Sequence, residues 1–326
     1  MSVHKNTTLI HKIYNATKTF IVLMYLNFVA IISAIVSMFT WNCNIWKISR
    51  RFMTYLHVHV RVTEKSEELH KGKTMFFCNH RSWADFFTDT CLCGGPSYIS
   101  RYAVVFGVPG MAFCAWLNGF IWLFRRRRGI DRTKFTEFFV YNWKYRYTYF
   151  YYYYVYYYVY YVYYVYYVYY YIIIIIYNDG VIVYPEGHRF QEEGYLPLKT
   201  GVMEVAYNLN CPIQCVLTSN KEQMLNEKAL CLEFNTTLVS SVSRIIMPND
   251  YKTKEEWFQA CRDLWEETYQ DLKNHKDTAK TCDFPLPGIK PEDTNSYHPV
   301  RHRVVYTIVA NLFVVALSYF IKYYLL

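Results

Sequence analysis

The sequence has no framework of cysteines. The 10 that are present fall at irregular intervals, which excludes a disulfide-stapled fold and fits reduced thiols facing the cytosol. His57, His59, His80, Cys91 and Cys93 are the side chains on which a metal could be imagined, but none forms a paired cluster at zinc-site spacing, so no metal is expected. There is also no nucleic-acid-binding module with basic residues interleaved on one face. The formal net charge is nevertheless +9, from 35 Lys and Arg against 26 Asp and Glu. Such an excess favours anionic partners, and because the basic residues sit beside apolar segments, the partner expected is a membrane surface and not nucleic acid. Finally, no charge interrupts Thr19–Thr40 and no small-residue cleavage site is evident, so a retained anchor is expected in place of a removable signal peptide.

What is present begins with that hydrophobicity, 53% of all residues. Thr19–Thr40 is long enough to cross a bilayer, and a second run, Val304–Leu326, carries one late charge, Lys322. Arg301, His302 and Arg303 precede the second run, which puts the central domain on the cytosolic side by the positive-inside rule. Lys5, Lys12 and Lys18 before the first run and Lys47, Arg50 and Arg51 after it leave that segment's topology open between a full span and a return to the same leaflet. Residues 1–50 are thus read as an N-terminal anchor, 281–303 as a Pro-rich linker (Pro285, Pro287, Pro291, Pro299), and 304–326 as a C-terminal transmembrane segment.

Between the anchors, residues 51–280 alternate. Thr74–Cys78, Val181–Tyr184 and Pro212–Leu217 are short apolar runs, bounded by turn signals such as Asn178-Asp179-Gly180, that read as buried strands. Trp83–Leu92, Gly201–Asn208 and Lys254–Lys273 read as helices. The last opens on Thr253 and Glu256, a capping box, and repeats Trp257, Cys261, Leu264, Trp265, Thr268 and Leu272 on one face. Strands alternating with helices predict an α/β domain, a mixed sheet flanked by helices. Residues 145–177 interrupt it with more than half of the chain's 36 tyrosines in a Tyr-Tyr-Val repeat. Its composition suits strand pairing and aggregation, and it is read as a low-complexity insertion without a catalytic role; a third span is the alternative, disfavoured because tyrosine rings prefer the membrane interface.

Three motifs carry chemistry. Asn79-His80-Arg81-Ser82-Trp83-Ala84-Asp85 follows the first strand, and a loop turning into a helix can return the carboxylate to the imidazole. A carboxylate that accepts from one ring nitrogen fixes the tautomer and leaves the other nitrogen as a base. Tyr184-Pro185-Glu186-Gly187-His188-Arg189 follows the second strand; glycine lets backbone approach a ligand, and Arg189 suits phosphate oxygens. Gly119-Phe120-Ile121-Trp122-Leu123-Phe124-Arg125 runs into Arg126, Arg127 and Arg128, an apolar element ending where polyanionic groups would arrive. Each alone has a bland reading: a surface or core histidine, an ordinary strand exit, a solvated basic run.

In this order the motifs resemble the glycerolipid acyltransferase family typified by lysophosphatidic acid acyltransferase. His80 and Asp85 match its His-x4-Asp block, and Gly119 to Arg125 its second block. Glu186, Gly187 and Arg189 match Glu-Gly-Thr-Arg, with His188 at the threonine position. Cys211-Pro212-Ile213-Gln214-Cys215-Val216 resembles the fourth block, with Cys215 where a second proline is usual, and Leu196, Lys199 and Gly201 resemble the segment linking the third and fourth. The likeness covers roughly residues 50 to 250. It implies that His80 is the general base oriented by Asp85, that Arg125, Glu186, Gly187, Arg189 and Lys199 bind substrate, and that no acyl-enzyme forms on Cys78 or Ser82. The reaction implied is acyl-CoA-dependent acylation of a lysophospholipid, lysophosphatidic acid giving phosphatidic acid. The partners implied are acyl-CoA as co-substrate, a lysophospholipid acceptor and a lipid bilayer, that of the endoplasmic reticulum, with no further cofactor. Another lysophospholipid or glycerol 3-phosphate as acceptor, a lipid hydrolase using the same dyad against water, and an inactive membrane scaffold are the alternatives.

Overall fold

In the computed structural model the described residues are 9–40, 45–101, 104–117, 121–124, 132–145, 180–226 and 230–294. Most of the tyrosine tract, Arg125 to Arg128 and the second apolar run, Val304–Leu326, lie outside them. The helices are α1 (Leu9–Thr40), α2 (Ile45–Tyr55), α3 (Asp85–Leu92), α4 (Val104–Gly107), α5 (Pro109–Leu117), α6 (Arg132–Tyr145), α7 (Thr200–Asn208), α8 (Lys221–Met224) and α9 (Lys254–Asn274). The strands are β1 (His59–Val62), β2 (Met75–Cys78), β3 (Ser97–Arg101), β4 (Ile121–Phe124), β5 (Val181–Val183), β6 (Ile213–Ser219), β7 (Leu225–Asn226), β8 (Cys231–Leu232), β9 (Thr237–Val242) and β10 (Lys280–Cys282). The chain forms two compact units.

The first unit draws on residues 9–26, 45–99 and the described residues from 180 to 294. Its strands lie in the order β10-β1-β9-β6-β2-β5-β3. β1 is antiparallel to β10 and parallel to β9, β9 is antiparallel to β6, and β6, β2, β5 and β3 run parallel to one another. The sheet is mixed, as the alternation of strands and helices led one to expect. β2 and β5 are continuous apolar runs with every side chain buried, the pattern of a strand covered on both faces. The strands and helices expected between the anchors have bounds that agree with the sequence reading or differ from it by one or two residues.

Helix α9 covers one face of this sheet against β6 and β9. Thr253 and Glu256 form the capping box, each side chain bonding the other's backbone N–H. The face carrying Trp257, Cys261, Leu264, Trp265, Thr268 and Leu272 is buried, and the Trp257 indole N–H donates to Met203 O at 2.9 Å in α7. Across the sheet unit, α2 packs on α3, with Trp46 Nε1 donating to Cys91 O at 3.1 Å and Phe52 against Phe87. Part of the Pro-rich stretch read as a linker packs against this unit. Leu286 and Ile289 are buried, and the Leu286 N–H donates to Leu92 O at 3.0 Å.

The second unit holds α4, α5, β4, α6 and the later half of α1. Gly110 opens α5 against α1: its N–H donates to Asn27 Oδ1 at 2.7 Å, and a Cβ there would lie 2.3 Å from Asn27 O. Helix α1 starts ten residues earlier than the uncharged run, at Leu9, and Leu9–Val36 is long and apolar enough to cross a membrane, by length and composition. Thr19, Val22, Leu26, Ala30 and Ala34 form its buried stripe, while Phe20, Met24, Phe28, Ile31 and Ile35 are exposed.

Candidate active site

The site forms where the parallel strands β2 and β5 end, the usual place for a ligand in an open α/β sheet. Beyond β2 the Asn79 side chain is locked to β6: its Nδ2 donates to Thr218 O at 3.0 Å, and Oδ1 accepts from Thr218 N at 2.9 Å. That double bond ends the strand pairing and throws the following residues outward as a loop. His80 Nδ1 lies 2.6 Å from Asp85 Oδ2, the first residue of α3. The same oxygen accepts from Arg81 N at 2.7 Å, and Oδ1 accepts from Ser82 N at 3.1 Å. The imidazole is 28% exposed and the carboxylate 2%, so the base faces outward from a fixed, dry partner. Burial alone would push the Asp85 carboxyl up, but Lys221, the His80 bond and the Arg81 amide bring it below its ordinary value. With Asp85 ionised, Nδ1 carries the proton and Nε2 is free to accept one.

Beneath the dyad lies a second charged layer. Lys221, wholly buried at the start of α8, sends its Nζ to Asp89 Oδ1 and Oδ2 at 3.1 and 3.0 Å and to Asn79 O at 2.6 Å. Asp89 stands one helical turn beyond Asp85. Burial and the Asp85 charge push its carboxyl up to about 6, against the pull of Lys221 and Tyr184. Tyr184 Oη donates to Asp89 Oδ2 at 2.9 Å and meets the hydroxyl of Tyr98, which in turn donates to Asp85 O at 2.7 Å.

The second motif closes on the first. Glu186, in the turn after β5, accepts from His80 N through Oε2 at 2.9 Å and from Leu196 N through Oε1 at 3.0 Å. It is therefore a clamp between the histidine loop and the 190s segment, and burial pushes its carboxyl up despite those bonds. Phe190 N donates to His80 O at 2.8 Å, and Arg81 binds Glu222 through Nε and Nη2 at 3.2 and 2.8 Å and Glu192 O through Nη1 at 2.8 Å. Gly187 has φ +71°, and a Cβ there would lie 2.9 Å from Lys199 Nζ, so Lys199 passes directly over this turn. The Arg189 guanidinium sits 5.8 Å from the centre of the half-exposed Trp83 ring. His80, Asp85, Glu186, Gly187 and Lys199 are thus one constellation, with Arg189 beside Trp83; Arg125 lies outside the described residues.

A family model described as Acyltransferase matches residues 170–219, a stretch that contains the Tyr184–Arg189 motif and all of β6. Among solved structures the chain is similar to the 1-acyl-sn-glycerophosphate (LPA) acyltransferase PlsC from Thermotoga maritima, at TM-score 0.51 and 15% identity, over 79% of this chain and 97% of that one. At that identity the likeness is one of fold. No curated protein matches.

Cys78, which precedes the first motif, Cys211 just before β6 and Cys215 within it are interior residues. Burial pushes the Cys78 and Cys215 thiols far up and Cys211 to about 12, so none offers a thiolate at neutral pH. Among the described residues no group of three or more His, Cys, Asp or Glu is disposed to hold a metal ion. Of the pair His57 and His59, only His59 is in a strand; His57 is in a turn with φ 53°. Sequence reasoning missed Lys221, Asp89 and Tyr98, and gave Tyr184 no task. Asp89 had one available signal, its four-residue spacing from Asp85 on a helix face; Lys221 had none.

Proposed function

We propose that this chain is a membrane-associated acyltransferase that moves a fatty acyl group from acyl-CoA to the free hydroxyl of a lysophospholipid, with lysophosphatidic acid the preferred acceptor. The observation that carries the reading is the bond between His80 Nδ1 and Asp85 Oδ2, with Asp85 buried and Nε2 left as acceptor. The lipid hydroxyl attacks the thioester carbonyl while Nε2 takes its proton. The tetrahedral intermediate then expels the CoA sulfur, which leaves as thiol with the proton held by His80. Ester and free CoA are the products, and no covalent enzyme intermediate is needed.

Arg189, Lys199 and Arg125 supply the cationic groups for a phosphate dianion, which rewards clustered guanidinium and ammonium donors. Glu186 and Gly187 shape the turn that leads to Arg189, and Lys199 passes over it. Helix α1 and the second apolar run hold the catalytic unit at a bilayer, that of the endoplasmic reticulum, with the unit on the cytosolic side where acyl-CoA is supplied.

Membranes carrying the chain, given labelled acyl-CoA and a panel of lysophospholipids and glycerol 3-phosphate, test this. Label should enter phosphatidic acid fastest. Release of free fatty acid without an acceptor product would mark a hydrolase, and no turnover of any acceptor would mark a scaffold; either result overturns the reading.

A further inference from the structure

Lys221 is a cation with no exposed surface, and the reaction proposed above gives it no task. Burying an ammonium costs stability unless its surroundings compensate it. One carboxylate, Asp89, already does so, with both oxygens near 3 Å. Yet Nζ also stands 3.6 Å from Asp85 Oδ1, on the side of that carboxylate away from histidine. The two oxygens of Asp85 divide their work: Oδ2 takes His80 Nδ1 and Arg81 N, while Oδ1 takes Ser82 N and faces Lys221. The backbone joins the same construction, since Ser82 Oγ donates to Lys221 O at 3.2 Å and Lys221 Nζ donates to Asn79 O.

We propose that Lys221 is a positioning residue of the acyl transfer, holding Asp85 as a carboxylate turned so that Oδ2 fixes the Nδ1–H tautomer of His80. This rests on the acyltransferase reading above. Several groups face Asp85. From its own loop and helix come His80, Arg81 and Asp89; from α8, Lys221; from β3 and the turn beyond β5, Tyr98 and Tyr184; Glu186 and Cys78 act on Lys221. The Arg81 guanidinium is turned to Glu222, Gln191 and Glu192, which leaves Lys221 as the side-chain cation against Asp85 Oδ1.

The charge count explains why the cation is needed. With Lys221 present, the buried aspartates and the ammonium sum to one negative charge, which proton uptake by His80 brings to zero. Without it, two carboxylates share a dry site one helical turn apart, and like charges so placed retain a proton between them. A protonated Asp85 no longer orients the imidazole. Asp89, raised to about 6 even beside Lys221, shows that the site already bears two carboxylates at a cost.

The test compares the full-length parent, Lys221→Met, and Lys221→Met/Asp89→Asn in membranes, measuring melting temperature and the pH dependence of kcat/KM with acyl-CoA and lysophosphatidic acid. Lys221→Met alone leaves an uncompensated buried charge and should lose both stability and activity. The double variant removes both charges and should regain most of the melting temperature. With the cation 3.6 Å from Asp85 Oδ1 gone, its kcat should stay about tenfold or more below the parent, its acid limb should lie higher by about one pH unit, and both KM values should change little. A double variant with the parent's melting temperature and the parent's pH profile overturns the proposal, because Lys221 then merely neutralises Asp89. A parent that transfers no acyl group overturns the reaction itself, an outcome seen before any variant is compared.

Discussion

The phenol ring of Tyr184 lies flat on the imidazole of His80, with centroids 4.3 Å apart and planes inclined by 15°. Asp85 holds the same imidazole by its edge, at 2.6 Å from Nδ1. Edge and face together leave the ring one orientation, with Nε2 toward the open side. The face contact is itself anchored, because the Tyr184 hydroxyl ends on Asp89.

Separating the ring from its hydroxyl tests that arrangement. Tyr184→Phe keeps the stack and removes one of two hydrogen bonds to Asp89 Oδ2, the other coming from Lys221, so stability should fall by about 1–3 kcal/mol while kcat changes little. Tyr184→Leu removes the stack and should lower kcat by roughly tenfold or more, since a catalytic group displaced by about 1 Å loses much of its effect. Thermal melts and steady-state kinetics on both variants check this; equal kcat in the two would refute a role for the ring face.

Asp85→Asn preserves shape but replaces an acceptor that also receives two backbone amides. An amide there can offer its own N–H to Nδ1 and select the wrong tautomer. The expected loss in kcat is about 10²- to 10⁴-fold with KM nearly unchanged, read from acyl-CoA turnover at saturating substrate. A fall confined to KM would contradict the orienting role.

At Gly187 the backbone has φ +71° with Lys199 close above. Gly187→Ala forces an L side chain into the left-handed region, at a cost of about 1–2 kcal/mol, and pushes Lys199 aside. KM for the lysophospholipid should rise more than KM for acyl-CoA. Equal effects on the two would separate this turn from the acceptor.

Asp89 makes a prediction about pH. Its folded pKa of about 6 lies above the ordinary 3.8, so between those values the folded chain keeps a proton that the unfolded chain releases. Its contribution to stability is therefore largest below about pH 4 and is lost as pH rises through about 6. The difference in unfolding free energy between parent and Asp89→Asn should shift against the parent across that window and level off above it. Urea denaturation at a series of pH values measures it, and a difference that does not vary with pH would show that Asp89 titrates alike in both states.

The dyad was legible because its parts are local. An apolar run ending at Asn79 marks a strand exit, and five positions from His80 to Asp85 suffice for the chain to turn back on itself. Helix α9 was legible for the same reason, its cap and buried stripe being written within its own residues. Glu186 was visible as a motif residue, but not that both its oxygens would be taken by backbone amides of His80 and Leu196. Lys221 was invisible. It meets Asp89 across 132 positions and Asn79 across 142, brought there by the parallel pairing of β2 with β6, and no local pattern encodes such a meeting. The early start of α1 was obscured because Lys12 and Lys18 ended the uncharged run without ending the helix.

The most direct test of the account is the rate at which a folded His80→Ala chain forms ester from acyl-CoA and lysophosphatidic acid, set against the parent at the same melting temperature. Loss of the base should slow the reaction by about 10²- to 10⁴-fold. A variant that esterifies the lipid as fast as the parent would contradict general-base chemistry at this imidazole.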